Sequence, residues 1–157
     1  MKVYTVSFFG HREIDNPFET EDQLEDLIKS LLAAKDYVEF LVGRNGEFDQ
    51  LVSSTIRRIK RTYRDDNSAL VLVLPYPTAE YESNVQSFQE YYDEVEICQS
   101  SANIHFKGAI QQRNREMVNR SDLVICDVSH NYGGGFQTMQ YAKKKDKPII
   151  NLNDKSE

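Results

Sequence analysis

The chain has no tryptophan, two cysteines, four prolines and seven glycines among its 157 residues. The lack of Trp decides nothing, but the other shortages do. Cys98 and Cys126 are too few for a metal-ligand set or a disulfide framework, so no metal site is expected. Cys126 lies in an apolar run and reads as a buried small hydrophobe. No segment approaches the roughly 18 apolar residues of a membrane span. The opening MKVYTVSFFG has only a short apolar part that runs into Gly-His-Arg, which suits a strand better than a signal peptide. A cytoplasmic protein is the expectation, with no membrane partner. Positive charge is also in short supply: 19 Lys and Arg face 25 Asp and Glu, for a formal net charge of −6. That argues against a general nucleic-acid coat and makes a small-molecule or protein partner more natural. Two phosphate-binding signatures are missing. G-x-G-x-x-G does not follow the first strand and there is no Walker lysine pattern, so ordinary NAD dehydrogenases and P-loop proteins are poor readings.

What is present is an alternation of apolar runs and amphipathic stretches. Val3–Phe9, Tyr37–Val42, Ala69–Leu74, Leu123–Cys126 and Pro148–Leu152 read as strands. Several lack clean alternation, as expected for strands buried on both faces of a parallel sheet. A first helix starts at Asn16-Pro17, with Asn as cap, Pro in the first turn and Glu19 placed to reach back. Its stripe of Leu24, Leu27, Ile28, Leu31 and Leu32 is core-facing. A second helix runs from about Phe48 to Arg64. It sets Phe48, Val52, Ile56, Ile59 and Tyr63 near one face and Arg57, Arg58, Lys60, Arg61 and Arg64 on the other. That basic face reads as a solvated one, with nucleic-acid contact as the alternative. Further helices are expected over Asn84–Tyr92, Ile104–Arg120 and Phe136–Lys145, and an edge strand over Val95–Cys98.

Residues 75–98 differ from the rest. They carry six Asp and Glu, no Lys or Arg, and five aromatics. This is too aromatic for a disordered linker. The segment reads as a peripheral insertion: a helix or subunit interface of a homo-oligomer, or a lid that stacks on a base.

The pattern predicts an α/β fold. It is Rossmann-like and doubly wound, a mainly parallel sheet of about five to six strands with helices on both faces. In such a fold the βα turns share the C-terminal sheet edge, and ligands bind where strand order reverses. Three turns with glycine are then candidates to face one crevice: Gly10-His11-Arg12, Gly43-Arg44-Asn45-Gly46, and Gly133-Gly134-Gly135. The last lies between a buried strand and a helix start, where backbone N–H groups can point at an anion.

SFFGHR, VGRNGEFD, QQRNREMVNRSDLVICDV and YGGGFQTMQYAKKKDKPIINL, in that order, resemble the SLOG superfamily. These are Rossmann-like proteins related to the LOG enzymes and the DprA/Smf proteins, and the small stand-alone YpsA-like branch is the nearest likeness. It covers about residues 1–152 and implies a single nucleotide-binding domain over 1–157 of bacterial or phage origin. The implied ligand is nucleotide-derived, with ADP-ribose, NAD and cyclic ADP-ribose relatives as candidates; no cofactor is firmly implied. The LOG activity goes with P-G-G-x-G-T-x-x-E. Here Gly134, Gly135 and Thr138 match, while Gly133, Gln137 and Tyr141 stand in place of the Pro, the third Gly and the Glu. Without that carboxylate, LOG-type hydrolysis lacks its acid.

Two functions follow. A binding module would hold phosphate on the backbone of Gly133–Phe136 with Gln137 and Thr138. Gly43, Arg44, Asn45 and Gly46 would form a second wall, and Arg12 and Arg113 would neutralise charge. Gly10 would let the first turn approach the ligand, and Asp49 would accept a ribose hydroxyl or cap its helix. An N-glycosidase or nucleotide hydrolase would instead use Glu47 or Asp49 on water or ribose, with His11 as proton donor. A third and weaker reading is nucleic-acid binding through Arg57–Arg64, as in the DprA relatives.

Overall fold

A computed structural model describes residues 1–153; the last four residues of the expected domain lie outside the described ones. Six strands form one parallel sheet: β1 (Val3–Gly10), β2 (Tyr37–Val42), β3 (Ser68–Leu74), β4 (Glu94–Ile97), β5 (Leu123–Asp127) and β6 (Ile149–Asn151). Their spatial order is β4-β3-β2-β1-β5-β6. The Rossmann-like α/β reading holds, and strand order reverses between β1 and β5.

Side-chain alternation divides the core into two layers. Val6, Phe8, Val38, Phe40, Leu70 and Leu72 face one side. There they meet α1 (Pro17–Ala34), through Leu24, Ile28 and Leu32, and α2 (Glu47–Thr62), through Phe48, Val52, Ile56 and Ile59. Phe9, Leu41, Val71, Val73, Val124 and Cys126 face the other side. They are covered by Met117 and Val118 of α6 (Phe106–Asn119) and by Met139 and Ala142 of α7 (Gly134–Lys144). Burial between layers pushes the Cys126 thiol up to about 12, which makes it inert.

Asn16 caps α1 as expected: its Oδ1 accepts from Glu19 N–H at 3.2 Å. Glu19 answers through the Asn16 amide rather than the backbone, at 3.1 Å. The acidic, aromatic segment is more broken than its composition suggests. A short helix, α3 (Ala79–Ser83), precedes the expected one, α4 (Val85–Tyr91), with Asn84 between them. Thr78 caps the first by accepting from Tyr81 N–H. The edge strand begins one residue early, at Glu94, and a further turn, α5 (Gln99–Ala102), precedes α6. No described helix is long and apolar enough to cross a membrane.

Candidate functional site

β1 and β5 run in register to Gly10 opposite Asp127, so both chains leave the sheet at the same level. A crevice of about 650 Å³ opens there. The β1–α1 turn, the β2–α2 turn, α6 and the β5–α7 turn line it. Gly10, His11, Arg12, Gly43, Asn45, Gly46, Asp49, Arg113, Gly133, Gly134, Gly135 and Gln137 all reach it. The three glycine turns therefore meet.

Each turn is stitched to a neighbour. Glu47 N–H donates to the Arg12 carbonyl at 2.9 Å, joining the first two. Ser129 N–H donates to His11 Nε2 at 3.0 Å, joining the first to the third. That bond needs a bare Nε2, so His11 is neutral with its proton on Nδ1. Burial and the neighbouring His130 both hold His11 below the usual histidine range, against a smaller upward pull from Asp15.

Arg113 forms the back of the crevice. It is 2% exposed. Nη1 donates to the Val73 carbonyl at 2.8 Å and Nε to Asn114 Oδ1 at 2.9 Å. Nη2 has neither partner. Asn114 donates on to Thr138 Oγ1 at 3.0 Å, and Thr138 donates to the Gly134 carbonyl at 2.9 Å. One chain of hydrogen bonds thus runs from β3 to the start of α7. Asp49 is the counter-charge, and its carboxylate accepts from Asn45 N–H at 2.8 Å. A Cβ at Gly43 would sit 3.1 Å from that carboxylate and 3.3 Å from the guanidinium nitrogens. Glycine here leaves room for both charges without a side chain between them. Burial raises the Asp49 carboxyl, and burial lowers Arg113 although Asp49 opposes the shift.

The consecutive glycines do three different things. Gly133 has φ +90°, which L side chains rarely adopt. Gly134 faces the crevice near the Gln111 amide. Gly135 packs against the Gly10 carbonyl. Gly10 is itself held against the Phe48 ring, which would lie 2.5 Å from a Cβ there. Packing on α2 is thus reason enough for that glycine.

Several expected residues lie elsewhere. Arg44 turns away from the crevice into a neighbouring groove of about 840 Å³ between α2 and α4. Its fork pairs with Glu80, Nη1 donates to Tyr92 Oη, and the guanidinium covers Phe88. Glu47 lines the same groove and accepts from Ile14 N–H, so it is a brace for the β1–α1 loop. Phe136 packs its ring into the second core layer. Thr138 is buried as a link in the Arg113 chain and is not among the residues that line the crevice. The Tyr141 hydroxyl donates to Asn119 Oδ1 at 2.8 Å.

The basic face of α2 is largely engaged. Arg58 pairs with Glu21 and Glu25, Lys60 with Asp93, and Arg64 with Asp66, while Arg57 covers the Tyr91 ring.

The sequence reading passed over His130 and Tyr132. The two rings stack at 3.8 Å between centroids, and His130 stacks on His11 at 3.5 Å. All three line the crevice. The signal was there in the aromatics directly before the glycines, but the partner, His11, is 119 residues away from His130.

No protein-family model and no curated protein matches the chain. Among solved structures it is similar to DNA processing protein A from Helicobacter pylori, described for its single-stranded DNA binding mode. Identity is 19% and the TM-score 0.62, over 96% of this chain and 67% of that one. It is also similar to DNA processing protein A (DprA) from Streptococcus pneumoniae. Here identity is 14% and the TM-score 0.65, over 94% of this chain and 49% of that one. The chain thus spans about half to two thirds of these neighbours. At such identities the likeness is one of fold, and the fold is the DprA-like Rossmann-type α/β fold.

Proposed function

We propose that the crevice binds a nucleotide-derived small molecule through its phosphate, with ADP-ribose, NAD and cyclic ADP-ribose relatives as the ligand class. The observation that carries this is Arg113: a cation 2% exposed that lines the crevice and is fixed by Val73 and Asn114, with no hydrogen bond from Nη2 among the described residues. A buried guanidinium with spare donors is costly unless an anion completes it. The N-terminus of α7 faces the same space and favours negative charge. Gln137 and the exposed Arg12 add donors at the rim.

We read this as a binding module rather than an enzyme. Glu47 is engaged by Ile14, and neutral His11 already accepts from Ser129. Asp49 alone stays near enough to serve a ribose. The YpsA-like branch of the SLOG superfamily remains our assignment for the chain. Calorimetric titration with ADP-ribose, NAD and AMP tests the reading: one or more should bind, and no heat and no thermal shift with any of them would refute it.

A second reading takes its support from fold. The Helicobacter pylori neighbour binds single-stranded DNA by its description, and a gel shift at rising salt would reveal such binding here. The engaged α2 cations are poor candidates for it; Arg12 and Lys107 at the crevice are better placed.

A further inference from the structure

His11, His130 and Tyr132 form a continuous column of three rings. Adjacent centroids lie 3.5 and 3.8 Å apart and the planes are inclined by only 13° and 17°. The two histidine rings are held by hydrogen bonds before any ligand arrives, and Tyr132 leans on the second of them. His11 Nε2 accepts from Ser129 N–H, and His130 Nδ1 lies 3.1 Å from the Tyr132 carbonyl. The column ends in the open, because Tyr132 is 67% exposed although one face is covered by His130. A lone exposed aromatic needs no explanation. This one is the outer member of a stack, and it lines the crevice that Arg113 closes.

Tyr132 also stands two residues before Gly134, so their Cα atoms are at most about 7 to 8 Å apart. The left-handed turn at Gly133 carries the chain from the stack straight into α7. A flat acceptor for a ring and an anion-favouring helix start therefore sit side by side, as the base and phosphate of a nucleotide do. Preorganised rings lose little freedom on binding, which favours affinity.

We infer that Tyr132, backed by His130 and His11, is the platform on which the nucleobase of the bound nucleotide stacks, extending the column to four rings. The inference rests on the nucleotide reading above and adds that the base, not only the phosphate, is recognised. Stacking reads the π-face and not the hydrogen-bonding edge. Purines, with their larger face, should bind better than pyrimidines at equal phosphate count.

The absence of Trp makes the test direct. In Tyr132→Trp, the introduced indole is the only one in the chain. Its fluorescence should be quenched by AMP and ADP-ribose and left unchanged by ribose 5-phosphate, which carries the anion without a base. By calorimetry, Tyr132→Leu should weaken AMP by about tenfold or more. Its affinity for ribose 5-phosphate should stay within about twofold of wild type, since phosphate contacts are untouched. If AMP binds wild type no better than ribose 5-phosphate, or binds Tyr132→Leu as well as wild type, the platform is refuted while the phosphate site stands. If none of ADP-ribose, NAD, AMP and ribose 5-phosphate binds wild type, the nucleotide reading itself falls, and the platform with it. Quenching by an oligodeoxynucleotide but by no mononucleotide would overturn the inference in favour of a DNA strand.

Discussion

Gly135 stands directly over Gly10. A methyl group on Gly135 would come within 2.9 Å of the Gly10 carbonyl oxygen, so the start of α7 rests on the end of β1 with no side chain between. This contact sets where the helix N-terminus meets the crevice, and it gives the first prediction. Gly135→Ala must push backbone against backbone and should cost about 1–3 kcal/mol. At Gly134 the nearest atom is the end of the flexible Gln111 side chain, at 3.1 Å. Gly134→Ala should cost less than half as much, and urea denaturation of both variants checks the ordering.

Arg113 should matter twice. Arg113→Leu strips the Val73 carbonyl of its donor and should destabilise by about 1–3 kcal/mol. It should also lower affinity for phosphorylated ligands by about tenfold or more. Arg113→Lys keeps the charge but not the fork, so it should recover part of the affinity and little of the stability. Equal affinity in all three proteins would remove Arg113 from the site.

The pH dependence of stability has a sign fixed by His11. Its folded-state value is depressed, so the unfolded chain takes up the proton first. Stability associated with neutral His11 is fully present above the unfolded value near 6.5. It is lost as pH falls from there through the folded value. Protonation also ends the Ser129 N–H bond, which loosens the glycine turn from β1. Thermal melts between pH 7.5 and 5 should show this loss, and His11→Gln should flatten it.

Asp49 has the opposite sign. Burial raises its carboxyl, so the folded chain holds the proton to higher pH than the unfolded chain does. The ionised carboxylate therefore costs stability above the folded value, and the cost disappears below the unfolded value of 3.8. Asp49→Asn can still accept from Asn45 N–H. Because it also leaves the buried Arg113 without its counter-charge, the check is the slope: its melting temperature should change less between pH 7 and 4 than that of wild type.

Much of this fold was legible because its strands are buried on both faces. ALVLVL, YVEFLV and DLVIC announce themselves as apolar runs, and the Asn16-Pro17 start carries its own cap. The meeting of the three glycine turns followed from parallel topology alone. What was hidden depends on distant partners. Nothing local in VGRNGEFD says that Arg44 turns to Glu80, thirty-six residues on, or that Glu47 turns back to Ile14. The helix starting at Asn84 was read, but the five-residue α3 before it is too short to show a periodic stripe, and the break between them has no proline or glycine to mark it. It arises where Asn84 N–H closes the first short helix on Tyr81 and its carbonyl opens the second. The triple glycine was half understood: its place at the crevice could be read, but the packing of Gly135 on Gly10 could not.

We propose above all that an anion of nucleotide type binds at the start of α7. Gly134→Asp tests it most directly, because an acid in the first turn suits the helix dipole but repels a phosphate. Wild type and variant should be titrated by calorimetry with ADP-ribose, NAD and AMP after their melting temperatures are compared. At least one of them should bind wild type, and that binding should be lost in a variant that remains folded. Unchanged affinity in folded Gly134→Asp, or no binding to wild type by any of the three, would contradict it.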